Sequence, residues 1–150
     1  MADRLKELHR ERSDLKLQGR VREMIPVQRA IIVETEKSGR IVDLADAWNY
    51  LSALHHQVCE YSVAEHAARK ALEIYAGEPD PSAEVLATFQ FKLAQILAAQ
   101  RRFSEAVGMA EAGLRNFSVS HDPPDDFLKA REDEATLMRD CMKRSADAVG

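Results

Sequence analysis

His55, His56 and Cys59 are the residues whose types and spacing come nearest to chemistry. His55 and Cys59 stand four apart, on one face of any helix that spans them, and both side chains can ligate zinc. Two ligands do not make a site, and no second pair at similar spacing lies nearby in sequence. The expectation is therefore structural: His55 in a helix interface and His56 on the wall of a surface groove. Cys59 and Cys141 are too few for a disulfide framework and share no metal-ligand spacing, so reduced thiols and no bound metal are expected. Asp125 and Asp126 are adjacent carboxylates, yet they follow Pro123 and Pro124 directly. They read as negative charge at the positive end of a helix dipole rather than as an acid–base pair. No Gly-rich phosphate loop, nucleophile elbow or metal-protease motif is present, so neither an enzyme nor a cofactor is expected.

The elements that would hold these residues are helices. Proline and glycine fall between apolar-periodic segments, at Gly19, Gly39, Gly77-Glu78-Pro79-Asp80-Pro81 and Asp122-Pro123-Pro124-Asp125. Between the breaks the periodicity predicts seven helices, at about 3–17, 21–37, 42–58, 62–75, 82–99, 104–117 and 125–146. No segment alternates convincingly like a strand. Ser62 with Glu65 has the pattern of a capping box, and Ser82 and Ser104 are expected to cap in the same way. Pro26 either opens the second helix or kinks it.

Two stretches repeat at an offset of 42 residues: Leu51, Tyr61, Ser62, Ala64, Ala68 and Leu72 are answered by Leu93, Phe103, Ser104, Ala106, Ala110 and Leu114. Such a period implies stacked helical hairpins, because one hairpin cannot bury its apolar face alone. Val21, Met24 and Ile32 hold the equivalent positions, in apolar character only, of a divergent first hairpin over residues 1–40. The pattern Trp48, Leu51, Ser52, Tyr61, Ala64, Ala68, Ala71 and Leu72, repeated by Leu93, Ala94, Leu97, Phe103, Ala106, Ala110 and Leu114, resembles the tetratricopeptide repeat. The longer period and the segment Ala71-Leu72-Glu73-Ile74-Tyr75 before a Pro-bearing joint look like the kinesin light chain variety. His55, Gln90 and Gly113 depart from the signature, where it would carry a bulky apolar or tyrosine residue, a tryptophan and an alanine. The resemblance implies an all-α superhelical array of antiparallel hairpins in one domain. Its parts would be the first hairpin, repeats at 42–76 and 82–117, and a closing helix at 125–148.

The resemblance also implies a binding face, since in this family the first helices of successive repeats line a concave groove. Position by position, that groove holds Asn49, Ala53, His56 and Gln57 on one helix and Thr88, Phe91, Gln95 and Ala98 on the next. Helical spacing supports the choice independently, because 49, 53 and 56 share one stripe and 91, 95 and 98 another. Asn49 can donate to and accept from a peptide backbone at once, and Phe91 would be an apolar anchor. On the last helix, Leu128, Ala135, Met138 and Met142 can face the preceding hairpin. Phe127, Leu137 and Cys141 form a second apolar stripe that a client or a homodimer partner could cover.

Charge and composition exclude other classes. The chain has 150 residues, 45% hydrophobic and 31% charged, with a formal net charge of −4, which gives no general pull toward nucleic acid or anionic membrane. The first forty residues carry +3 and the rest −7, but Glu7, Glu11 and Asp14 interleave with Arg4, Arg10 and Arg12, as in a solvated helix. No apolar leader or membrane-length apolar run is present, so a cytoplasmic protein is expected. The function expected is that of an adaptor or scaffold for a protein or peptide partner, without nucleic acid or membrane. A small secretion-type chaperone and a regulatory subunit acting on an enzyme or response regulator are the alternatives.

Overall fold

In a computed structural model, the structure describes residues 2–118, 133 and 135–144, and every element among them is helical. The helices are α1 (Ala2–Leu17), α2 (Val21–Ser38), α3 (Ile41–Gln57), α4 (Tyr61–Ala76), α5 (Ala83–Ala99) and α6 (Phe103–Ser118). Residues 135–144 are helical as well. The expected boundaries of the first six helices agree to within about two residues, while both ends of the closing helix, with Asp125, Asp126, Phe127 and Leu128, lie outside the described residues. The chain divides into two compact units, Met1–Glu78 and Pro79–Gly150.

One turn is used three times. Gly19 N donates to Lys16 O and Arg20 N to Leu15 O, both at 3.0 Å. Cys59 N to His56 O at 3.1 Å and Glu60 N to His55 O at 2.9 Å repeat the pattern, as do Arg101 N to Ala98 O at 2.9 Å and Arg102 N to Leu97 O at 3.0 Å. These are Schellman pairs, which satisfy the last carbonyls of a helix around one left-handed residue. That residue has φ of 70° at Gly19 and 63° at both Cys59 and Arg101. Each turn therefore reverses the chain two residues before Val21, Tyr61 or Phe103, the three positions that the sequence spacing equates.

After connections this short, the Gly39 one before α3 included, the next helix begins differently. The residues at the N-terminal boundary of α2, α3 and α4 are Arg20, Arg40 and Glu60, and none makes a side-chain cap. Ser62 and Ser104 sit one residue inside their helices, so the capping box expected of Ser62 and Glu65 does not form; Glu65 instead accepts from Arg69 Nε at 2.8 Å. In place of hydroxyl caps, arginine holds a carboxylate three residues on. Arg20 Nε donates to Glu23 at 2.8 Å, Arg40 lies 3.2 Å from Asp43, and Arg102 Nε donates to Glu105 at 3.0 Å. Each acid lies in the first turn, where the helix dipole favours it. Ser82, which follows a longer joint, does cap: its hydroxyl accepts from Val85 N at 3.5 Å. α2 runs continuously through Pro26.

In the first unit α1 packs on α2, α2 on α3 and α3 on α4. Leu8, Leu15, Met24, Val27, Ile31, Leu51 and Leu54 form its core, and Ala64, Ala67, Ala68 and Ala71 are the buried residues of α4 that let α3 approach closely. In the second unit α5 packs on α6, where Ala106 and Ala110 are fully buried. Asn116 Nδ2 donates to Gln90 Oε1 at 2.7 Å, so Gln90 ties α5 to α6 by a hydrogen bond between side-chain amides.

Candidate functional site

Of the residues expected on the α3 face, Gln57 is exposed and Asn49, Ala53 and His56 are partly buried. The amide oxygen Oδ1 of Asn49 is shielded from solvent and has no hydrogen-bond partner among the described residues. The edge of the His56 ring meets Tyr61, with centroids 5.7 Å apart and planes at 61°. His55 is only 3% exposed, with Nδ1 3.5 Å from Glu60 Oε1 but without hydrogen-bond geometry. Cys59 is exposed at the turn. No group of three or more His, Cys, Asp or Glu side chains converges among the described residues.

The α5 positions separate. Thr88 and Gln95 are exposed, and the Thr88 hydroxyl donates back to Glu84 O at 3.1 Å. Phe91 is not on a wet face. It is 5% exposed, clusters with Ala87, Leu114 and Phe117, and its ring centroid lies 4.8 Å from that of Phe117. Its position is made by Gly113, where a Cβ would come within 3.0 Å of Phe91 Cζ and closer still to Cδ1 and Cε1. The expected apolar anchor is thus a core residue, and Ala98, at 8% exposure, is buried too. On the last helix Cys141 is buried and Met142 is 57% exposed, the reverse of the expectation for these two, while Ala135, Leu137 and Met138 are all partly buried. Cys141 is thereby removed from any contact surface. Arg144 stands over the Phe103 ring at 5.9 Å, which brings this segment to the start of α6.

The cavity that the sequence did not announce lies between α1, α2 and α3. It is a solvent-open cleft of about 360 Å³, lined by exposed His9, Asp43 and Asp46 and by Arg12, Gln28 and Tyr50, among others. Gln28 is its keystone. Fully buried, it donates from Nε2 to Ala47 O at 2.8 Å and accepts from Arg12 Nη1 at 2.7 Å. Arg12 also lies 4.0 Å over the Tyr50 ring, a cation–π contact that fixes the guanidinium. Burial and, secondarily, the Arg12 charge push the His9 pKa down, so His9 is held toward its neutral form. Burial and then the neighbouring Asp43 push the Asp46 pKa up. One sign in the sequence did point here. Met24, Gln28, Ile31 and Thr35 form a buried stripe of α2 in which two members are polar, and a buried polar side chain needs a partner.

A second concavity, of about 410 Å³, lies between α2 and α4 over Trp48 and Leu51. Its rim includes Val33 and Val63, which are 52% and 41% exposed. No protein-family model matches the chain, and no curated protein matches it at a significant level. Among the described residues, no helix is long and apolar enough to cross a membrane.

Proposed function

We propose that this chain is a non-catalytic adaptor of the tetratricopeptide-like kind, holding a peptide or protein partner on the exposed side of its helical hairpins. The observation that carries the reading is the turn repeated at Gly19, Cys59 and Arg101, with the same pair of backbone bonds each time. A chain that repeats one hairpin presents equivalent side chains at regular intervals, and such surfaces serve binding rather than chemistry. On α3 the partner would meet Asn49, Ala53, His56 and Gln57. The Asn49 amide supports this, because its oxygen has no donor among the described residues and could accept from a peptide N–H.

Affinity capture with the full chain, followed by mass spectrometry, tests the reading when run beside an Asn49→Ala/His56→Ala variant of unchanged melting temperature. A partner retained by the parent and lost from the variant is the expected result. Identical captures from both would remove the α3 face from consideration.

A further inference from the structure

Two opposite charges line the cavity between α1, α2 and α3, and neither is neutralised among the described residues. Arg12 bonds to the Gln28 amide and rests on Tyr50, with no carboxylate in ion-pair range among the described residues. Asp43 is paired with Arg40 at 3.2 Å, whereas Asp46 has no cationic partner among the described residues. The arginine and the aspartate line one cavity and still do not meet. Asp46 and Tyr50 are one helical turn apart on α3, about 6 Å along its axis. The guanidinium lies on the Tyr50 ring, which borders the same cavity as Asp46.

We propose that this cavity binds a small zwitterion, an α-amino acid or a dipeptide, whose carboxylate is taken by Arg12 and whose ammonium group is taken by Asp46. A simple anion would gain Arg12 but meet the carboxylates of Asp43 and Asp46, and a simple cation would gain Asp46 but meet Arg12. Only a ligand carrying both signs answers both groups. The arginine is prepared for the task, since Gln28 is anchored to Ala47 O and presents its own oxygen to Nη1, leaving the other guanidinium N–H groups for a carboxylate. A guanidinium already fixed loses less side-chain freedom on binding. Burial and the Arg12 charge push the His9 pKa down, which disfavours a second cation at that end. A volume of about 360 Å³ admits one or two residues but no longer peptide. Arg12 lies on α1, away from Asn49 and His56, so an Arg12 variant tests this site without altering the residues of the adaptor reading.

Calorimetric titration of the full chain with each of the common amino acids and with a pool of dipeptides tests the proposal, alongside their α-amide and N-acetyl derivatives. Saturable binding of at least one free zwitterion is expected, weakened by about tenfold or more, equivalent to 1.4 kcal/mol, by either blocking group. The more tightly bound length identifies the source as free amino acid or dipeptide. Arg12→Gln should abolish the difference between acid and amide, and Arg12→Lys should keep part of it. Asp46→Asn should abolish the difference between free amine and N-acetyl form. Circular dichroism of each variant establishes that it is folded. Absence of saturable binding by any free zwitterion up to about 10 mM, or blocked forms that bind as well as free ones, would overturn the proposal.

Discussion

Phe91 occupies the space that a side chain at residue 113 would need, and the chain supplies Gly113 there. Between Ala87, Leu114 and Phe117 the ring is held on its remaining sides, so it has little freedom to yield. Alanine is the better helix former by about 1 kcal/mol. Even so, Gly113→Ala should destabilise the protein, because overpacking a filled core costs about 1 to 3 kcal/mol. Thermal or urea denaturation measures the change, and Phe91→Leu in the Gly113→Ala background should restore part of the loss. A stabilised Gly113→Ala protein would contradict this slot.

Leu93 and Phe103 mark the α5–α6 hairpin from opposite sides, at 1% and 6% exposure. Truncating either to alanine should cost about 2 to 5 kcal/mol by chemical denaturation. Unchanged midpoints for both variants would be incompatible with their burial.

Arg101 and Gly19 occupy equivalent left-handed turn positions, but only glycine takes that conformation without penalty. Arg101 is exposed. Arg101→Gly should therefore stabilise the protein by up to about 1 kcal/mol, and Gly19→Ala should destabilise it by a similar amount. Opposite signs in the two denaturation curves are the signature to seek.

Asp46 links the ligand proposal to pH. Burial and Asp43 raise its pKa in the folded chain above the ordinary value of 3.8, so ionisation is disfavoured in the fold. The stability it contributes is complete below that ordinary value and is lost as pH rises through the raised folded one. Asp46→Asn should accordingly raise the melting temperature at neutral pH and lose that advantage near pH 3. A neutral-pH melting temperature equal to or below that of the parent would contradict the strain assigned to this carboxylate. Together with the titration above, a variant more stable yet deficient in zwitterion binding would mark a group kept at a cost to the fold.

Helix positions were legible because glycine and proline punctuate the chain and because large and small residues recur at fixed offsets. The turns at Cys59 and Arg101 carry no glycine, yet both fall in the gaps between expected helices, at 59–61 and 100–103. Starts were harder to read. Ser62 looks like a cap, but a Schellman turn leads into α4 so abruptly that Glu60 already stands at the boundary. Phe91 was misplaced because one helix's periodicity does not show what faces it, although glycine at 113 in place of the usual alanine was the available sign. The Arg12, Gln28, Asp46 and Tyr50 constellation draws on three helices, and only Gln28 in an apolar stripe hinted at it.

Within residues 2–118, the segment 77–82 is the longest connection between successive helices. The other connections are so brief that an added residue would disturb the backbone bonds closing them. A fluorescent tag, a protease site or an epitope is best grafted between Gly77 and Ser82, where spare chain already exists.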